Sequence, residues 1–221
     1  MMRIIGAALI VVTLGVASGI VHAGADDQDA HKHHRKMLEE QNEANANFAD
    51  IVLPDAVLIT QDGAKVSLQS DVVGDRIVVM DFVYTTCTTV CPVLSAIFSQ
   101  VQNKLGDRLG HEVVMVSMSV DPNRDTPARL KSYATKLRAG DSWLWLTGRQ
   151  QTVIEVLEEL GAYTPNFADH PSIVLVGDGR SGQWARFIGF PAADQIIKKV
   201  DEFSAARMAY LSHTAMREKG K

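Results

Sequence analysis

The segment that decides the fold reads Ile77-Val78-Val79-Met80-Asp81-Phe82-Val83-Tyr84-Thr85-Thr86-Cys87-Thr88-Thr89-Val90-Cys91-Pro92. Its first part is a continuous apolar run, which is typical of a strand buried on both faces of a sheet. The apolar residues after it recur at helical spacing as far as Leu105, and Pro92 suits the first turn of a helix. The segment therefore predicts a strand that leads, through two cysteines, into a helix.

Those two cysteines are the only ones among the 221 residues, and they stand four positions apart. Four positions make about one helical turn, so both sulfurs can point the same way. Two thiolates at one point form either a reversible disulfide or part of a site for a soft metal ion. The spacing alone leaves three interpretations open, namely a redox pair, a metal site and a structural disulfide.

Length and composition favour one globular domain with a tail. Hydrophobic residues make up 46% of the chain and charged residues 22%, a balance that allows a full core without disulfides. The net charge of −4 provides no positive surface for nucleic acid, so we expect no nucleic-acid partner. A single close cysteine pair is not a disulfide framework either.

The N-terminus, residues 1–23, reads as a signal peptide or membrane anchor. An apolar stretch from Ile4 to Val21 follows Arg3, and Val21-His22-Ala23 has the small-x-small form of a cleavage site. The alternative is an uncleaved anchor that tethers the protein to a membrane, because the stretch can just span a bilayer. Either interpretation predicts a location in the periplasm or on the outer face of the bacterial inner membrane, where thiols oxidise unless they are protected.

The rest of the chain is expected to divide into a polar tether at residues 24–50, a folded domain at 51–211 and a flexible tail at 212–221. Within the tether, His31, His33 and His34 form an H-x-H-H tract beside several aspartates. Such tracts bind copper or zinc weakly, although a solvated tether is the simpler interpretation.

The folded domain alternates strand and helix patterns. In chain order we expect a hairpin at 56–67 with an Asp-Gly turn, strand 77–84, helix 92–105, strand 113–120, a helix capped by Thr126 with Pro127 at its first position, strand 143–146, helix 147–160, a hairpin within 172–188 and helix 194–210. This order predicts an α/β fold, with a thioredoxin-like central sheet flanked by helices on both faces, an N-terminal hairpin, and a C-terminal hairpin plus helix. The cysteines then lie at the carboxyl edge of the sheet, where open α/β sheets bind ligands.

Three segments resemble the Sco/SenC family of copper chaperones. Asp81 to Pro92 resembles its signature F-x-[FY]-T-x-C-x-x-x-C-P, and Val116 to Pro127 resembles V-S-x-D-P-x-R-D-T-P with one residue added. Asp169-His170, just before an apolar strand, resembles the family's D-H entry to a hairpin. The three segments occur in the family's order and together frame residues about 50 to 205.

The resemblance implies a thioredoxin-like domain that carries one copper ion per chain, bound by Cys87, Cys91 and His170. Members of this family help to build the binuclear copper centre of cytochrome c oxidase, as copper donors, as thiol reductants, or both. The implied partners are the copper-bearing subunit of that oxidase or another copper protein, and a thiol reductant. On this basis the protein transfers a metal and is not a turnover enzyme.

The donor atoms are consistent with a copper site, because two thiolates and one imidazole suit three-coordinate Cu(I). Zinc can take the same ligands, and copper is preferred on the resemblance. Three neighbours are candidates to support the site: Asp169 by orienting the imidazole, Asp121 by a role near the copper ion, and Tyr84 by lining the pocket. Each also has a plainer role, as a turn cap, a loop brace or a core aromatic residue.

A second hypothesis needs only the thiols. In an extracytoplasmic thiol-disulfide oxidoreductase or thiol peroxidase, Cys87 attacks a disulfide or peroxide and Cys91 resolves the product. A redox sensor that signals through the state of the cysteines is a third, weaker hypothesis. The role of His170 distinguishes the first hypothesis from the second, because thiol exchange does not require an imidazole ligand.

Overall fold

A computed structural model of the protein describes residues 47–49 and 51–219, which belong to one compact unit, Leu38–Lys221. The expected leader at 1–23 and the H-x-H-H tract lie outside the described residues. Within the described ranges, no helix combines the length and the apolar character that crossing a bilayer would require.

Eight strands and four α-helices form the described domain. They are β1 (Asn47–Ala49), β2 (Val57–Thr60), β3 (Lys65–Ser67), β4 (Ile77–Val83), α1 (Val90–Leu105), β5 (Val113–Ser119), α2 (Pro127–Lys136), β6 (Trp143–Thr147), α3 (Gln150–Glu159), β7 (Ile173–Asp178), β8 (Gln183–Ile188) and α4 (Ala193–Lys219). A π-helical segment, Leu68–Val73, precedes β4, and short 3₁₀ turns occupy Gly106–Arg108 and Phe167–Asp169.

The strands form one sheet in the order β1-β8-β7-β4-β5-β6-β2-β3. The β4, β5 and β6 strands are parallel, and β7, β8, β1, β2 and β3 each pair antiparallel with their neighbours. All seven residues of both β4 and β5 are buried, as the apolar runs predict. The expected α/β architecture is therefore confirmed.

Helices cover both faces of the sheet, and the alternation of side chains along β4 assigns residues to each face. Odd-numbered β4 residues such as Val79 and Val83 pack in one cluster with α1, α2, α4 and both cysteines. Even-numbered residues such as Val78 and Met80 pack against α3 and the π-helical segment. The cysteines therefore belong to the first of the two cores.

Glycine is required at two positions of the sheet. The β2–β3 hairpin turns at Gly63, whose φ of +82° favours glycine, as the Asp-Gly pattern predicts. Gly177 in β7 faces Trp184 of β8, and a Cβ atom there would lie 2.2 Å from the indole. The close approach of this strand pair therefore depends on the missing side chain.

The structure corrects two expected boundaries. The sheet begins inside the segment expected to be a tether, because Asn47–Ala49 pair with Trp184 to Arg186 as strand β1. The last helix continues to Lys219, so the expected end near residue 210 and the flexible tail at 212–221 are wrong as secondary structure. Both corrections lie at the ends of the domain, away from the cysteines.

Candidate metal and thiol site

The two cysteines follow the carboxyl end of β4, which is a central strand of the sheet. Helix α1 begins at Val90, so Cys87 precedes the helix and Cys91 belongs to its first turn. The cap residue Thr89 makes no side-chain capping bond; instead the Cys91 backbone N–H donates to the Cys87 sulfur at 3.4 Å. Both thiols are free, and they are only 6% and 2% exposed.

This arrangement makes the two thiols unequal. Burial alone would raise the pKa of Cys87, but hydrogen bonds from the Cys91 and Thr89 backbone and from the Cys91 and Tyr84 side chains lower it to about 6. Burial raises the pKa of Cys91 to about 12, and the charges of Cys87 and Asp81 add to the effect. The start of α1 stabilises the thiolate of Cys87, because that sulfur accepts the hydrogen bond from the Cys91 backbone N–H.

Asp125 fixes the loop that presents Cys87. Its buried carboxylate accepts hydrogen bonds from the Thr85 backbone N–H, at 3.1 and 3.2 Å, and from the Thr85 hydroxyl. It also accepts from the Ser119 hydroxyl at 2.7 Å. Asp125 therefore ties the segment before the first cysteine to the end of β5. Thr126 caps α2 through Arg129 N–H with Pro127 at the helix start, as predicted.

Tyr84 connects the cysteines to the histidine. A hydrogen bond to the Cys87 thiol raises the pKa of Tyr84 to about 12, with further contributions from burial and from the charges of Cys87, Cys91 and Asp169. The Tyr84 ring also lies edge-on to the His170 ring, with centroids 5.9 Å apart, and edge-on to Phe167 at 5.2 Å. Tyr84 therefore contacts both Cys87 and His170, and its role in lining a metal site stays a prediction.

His170 is buried next to Tyr84, with 8% of its surface exposed. Its Nδ1 lies 3.0 Å from the Pro171 carbonyl oxygen, and its buried Nε2 has no hydrogen-bond partner among the described residues. Burial lowers the pKa of this imidazole, which favours the neutral form that binds metals. Within residues 47–49 and 51–219, no three Cys, His, Asp or Glu side chains stand together as a ready-made metal site. The ligand set Cys87, Cys91 and His170 stays a prediction.

Of the two acidic residues expected near the site, Asp169 takes another role and Asp121 braces its loop. The Asp169 carboxylate accepts a hydrogen bond from the Asn166 side chain at 2.8 Å and does not orient the His170 ring, since Nδ1 of that ring faces Pro171. The buried Asp121 carboxylate pairs with Arg124 at 3.0 Å, and its backbone N–H donates to the Ser119 hydroxyl, so it braces its loop as expected.

A cavity of about 340 Å³ opens beside this loop, between the β5–α2 connection and the residues that follow α3. Its lining includes Asp121, Arg124 and Phe167, but neither cysteine nor His170. Arg124 lies over the Phe167 ring, 5.6 Å from its centroid. This cavity therefore lies beside the β5–α2 loop and does not contain the thiols.

Sequence reasoning overlooked Asp81, a fully buried carboxyl in β4. Burial raises the pKa of Asp81 to about 7, against an opposing hydrogen bond from Ser117. The signal was present, because Asp81 is the only charged residue in the apolar run from Ile77 to Tyr84. A charged residue in a doubly buried strand is costly and marks a functional candidate.

Taken together, these residues can support two kinds of chemistry. A sulfur that ionises near neutral pH, beside a second sulfur that keeps its proton, can attack a disulfide and then resolve the mixed product. The same sulfurs, with a neutral imidazole nearby, provide soft donors for a monovalent copper ion. The residues present therefore fit copper as cargo as well as thiol exchange.

Comparisons with known proteins agree with the fold. The sequence profile described as SCO1/SenC matches residues 44–204. A SCO1 protein homolog of Bacillus subtilis (strain 168) is 38% identical over 96 residues, which cover 43% of this chain and 48% of the relative. The chain thus matches about half the length of that relative.

Solved structures give a wider match. BsSco, a member of the Sco family of cytochrome c oxidase assembly proteins in which a disulfide switch was identified, is 27% identical with a TM-score of 0.62. The match covers 72% of this chain and 97% of BsSco. ScoI of Bradyrhizobium japonicum, solved with copper bound, is 24% identical with a TM-score of 0.58 over 69% of this chain and 99% of ScoI, a likeness that concerns the fold alone. The predicted thioredoxin-like α/β fold is confirmed.

Proposed function

The chain belongs to the SCO1/SenC family, and from this premise we propose that it is an extracytoplasmic copper-binding chaperone. It holds one copper ion as cargo through Cys87, Cys91 and His170. It delivers that copper to the binuclear site of cytochrome c oxidase, reduces the cysteines of that site, or does both. Its place of action is the periplasm or the outer face of the bacterial inner membrane, and its partners are the copper-bearing oxidase subunit or another copper protein, and a thiol reductant.

The observation that carries the proposal is the unpaired Nε2 atom of His170. This atom is buried and has no hydrogen-bond partner among the described residues, although leaving such an atom unsatisfied costs about 1–3 kcal/mol. The cost is offset when a ligand occupies the atom. The imidazole lies one aromatic ring away from a cysteine that ionises readily, so the candidate ligand for that atom is a soft cation held by sulfur.

Tyr84 separates the imidazole from the sulfurs, since it contacts both His170 and Cys87. For the three donors to converge, the tyrosine ring must move aside. The loop that carries His170 sits between a 3₁₀ turn and the start of β7, whereas the cysteines are fixed by the central strand and α1. We therefore expect the loop that carries His170 to adjust more than the cysteines do when a metal ion binds.

The relatives support the assembly role. BsSco belongs to a family of cytochrome c oxidase assembly proteins, and the likeness covers nearly all of that protein. The copper cargo itself follows from the donor chemistry of this chain and from the family signature around its cysteines.

Titration of the reduced protein with Cu(I) under a competing chelator tests the proposal. We expect one copper per chain, and we expect His170→Ala to lose tight binding by at least about tenfold, within the range for a lost ligand or ligand support. The matched control is His111→Ala, because His111 is an exposed histidine away from the cysteines. Unchanged stoichiometry and affinity in His170→Ala would refute the ligand assignment, and a second bound copper would direct attention to His31, His33 and His34.

A thiol-disulfide oxidoreductase is the second candidate function, and the unequal thiols favour it. Cys87 has the pKa of an attacking thiol and Cys91 that of a protonated resolving thiol. The same His170→Ala variant separates the two functions, since disulfide exchange should persist in it while tight copper binding is lost. If both activities disappear together, the imidazole has a structural role that neither function explains.

A further inference from the structure

The cavity beside the β5–α2 loop combines an apolar floor with a polar rim. Buried Val153, Leu157 and Ala162 form the floor. Asn123 and Gln150 are exposed residues of the lining, and their side-chain amides can donate hydrogen bonds to a guest. Ligand sites are typically clefts of about 300–1,000 Å³ with an apolar lining and a few polar groups, and this cavity measures about 340 Å³. It therefore offers preformed space for a compact apolar group.

The charged residues that line the cavity neutralise each other. They are Asp121 and Arg124, whose carboxylate and guanidinium form an ion pair at 3.0 Å. An anionic guest would lie beside the buried carboxylate, and a cationic guest would lie beside the guanidinium, so each would meet a like charge. The cavity therefore favours a neutral guest.

Arg124 also makes the opening suited to an aromatic ring. Its guanidinium lies over the Phe167 ring, 5.6 Å from the centroid, while 57% of the arginine side chain remains exposed. Because a guanidinium is planar and stacks on aromatic faces, its exposed part can contact a second ring. The exposed Tyr163 adds another aromatic surface to the same lining. A ring therefore gains contacts here that an aliphatic chain of similar size does not.

Phe167 is the wall that the cavity shares with the thiol site. It lines the cavity, and its ring lies edge-on to Tyr84 with centroids 5.2 Å apart. Tyr84 in turn forms the hydrogen bond to the Cys87 thiol. Only two aromatic side chains therefore separate the cavity from the sulfur, and a protein that engages this sulfur comes close to the cavity opening.

We propose that the cavity is a docking pocket for one aromatic side chain of the partner protein on whose cysteines or copper the thiol pair acts. The inference rests on the proposed function, which requires such a partner, and it adds a recognition site that contains none of the proposed metal ligands. Aromatic side chains that fill desolvated pockets commonly provide much of the binding energy at protein interfaces.

The first experiment measures whether the cavity binds an aromatic side chain. The probe is N-acetyl-tyrosinamide, which is added to the reduced, metal-free full chain while backbone amide shifts are followed by NMR. N-acetyl-leucinamide is the aliphatic control. We expect the tyrosine probe to cause saturable shifts at Asn123, Tyr163 and Thr164, with a dissociation constant on the order of 1–10 mM, and the leucine probe to cause none. Equal binding of the two probes, or no binding of either, would overturn the proposal.

Two neighbouring glutamines provide matched variants. Both are exposed in the first turn of α3, but only Gln150 lines the cavity. We expect Gln150→Trp to place an indole at the opening and weaken binding of the tyrosine probe at least about tenfold, whereas Gln151→Trp should stay within about twofold of the wild type. Ala162→Met fills the floor and is a second blocking variant, and urea unfolding verifies that each variant is folded. Wild-type affinity in both blocking variants would show that the probe binds elsewhere.

The second experiment distinguishes a partner's side chain from a free aromatic molecule. Peptides with one cysteine and one tyrosine, separated by one to about five glycines, form mixed disulfides with Cys87 in the Cys91→Ser variant, in a glutathione buffer. Matched peptides carry alanine in place of tyrosine. We expect at least one spacing to raise the equilibrium constant of the mixed disulfide about fivefold or more over its alanine control. This gain should disappear when Gln150→Trp is added and persist when Gln151→Trp is added.

The outcomes separate the docking pocket from the proposed function. If N-acetyl-tyrosinamide binds but no peptide shows the gain, the cavity takes free aromatic molecules and the partner assignment is overturned. If the Cu(I) titration fails while the peptides show the gain, the copper role is refuted and the docking pocket stands. Neither peptide nor probe binding requires copper, so the two results are independent.

Discussion

Replacing Asp81 by asparagine should change how the stability of the protein depends on pH. The side chain keeps its shape, but it can no longer ionise inside the core. Asp81 is 0% exposed, and burial raises its pKa from an ordinary 3.8 to about 7. Between these two values the folded protein holds a proton that the unfolded chain has released. The free energy of unfolding of the wild type therefore falls as the pH rises through this window.

The size of the effect follows from the two pKa values. They differ by about three pH units, and each unit corresponds to about 1.4 kcal/mol, so the loss amounts to roughly 4 kcal/mol. The stabilising contribution is complete below the pKa of the unfolded chain and is lost once the pH exceeds the pKa of the folded protein. In Asp81→Asn this contribution to the pH dependence is absent.

Urea unfolding of both reduced proteins from about pH 4 to about pH 8 measures the difference directly. The other titrating groups, including Cys87, are present in both proteins and cancel in the comparison to first order. We expect the variant to gain roughly 4 kcal/mol on the wild type as the pH rises across this range. A difference that stays constant to within about 0.5 kcal/mol would show that folding leaves the pKa of Asp81 unshifted, and the reasoning would be refuted.

Three further outcomes test other parts of the structure. Alkylation of the reduced protein, followed by mass spectrometry, should modify Cys87 first with a midpoint at about pH 6, and equal rates at Cys91 would contradict the unequal thiols. Asp125→Ala should lower the free energy of unfolding by about 2–3 kcal/mol and speed hydrogen exchange in the loop before Cys87, whereas unchanged exchange would mean that this acid does not hold the loop. Arg207→Met should cost about 3 kcal/mol in urea unfolding, because it leaves the Asp178 carboxylate buried without its cation, and a neutral effect would show that this pair contributes nothing net.

The elements nearest the thiols could be predicted from the sequence because their signals are local. The apolar run of β4, the helical spacing after Pro92 and the Thr126-Pro127 cap each identify an element from neighbouring residues. The strand-helix alternation then leaves few possible arrangements of the sheet.

Other features depend on contacts between distant residues. Strand β1 has three residues, and it is a strand only because β8 lies beside it. The His170 ring was expected to be oriented by Asp169. In the structure its Nδ1 atom instead lies next to the Pro171 carbonyl oxygen. No periodicity in the chain encodes such pairings.

The buried acid Asp81 was overlooked for a different reason. A strand prediction from apolar periodicity is unaffected by one polar residue in the run, so Asp81 was passed over. Because burying a carboxyl group costs free energy, the same residue should have been examined first. Its partner Ser117 lies in a second apolar run, and the two meet only when β4 and β5 pair in register.

The shortness of the outermost strands determines how this protein can meet others. Among the described residues, each border of the sheet is a strand of three residues, β1 on one side and β3, which begins with the exposed Lys65, on the other. A foreign peptide that binds by strand addition needs a longer ladder of unpaired backbone groups than these borders provide. Neither described border therefore favours strand addition, whether by a partner protein or by a second copy of the chain.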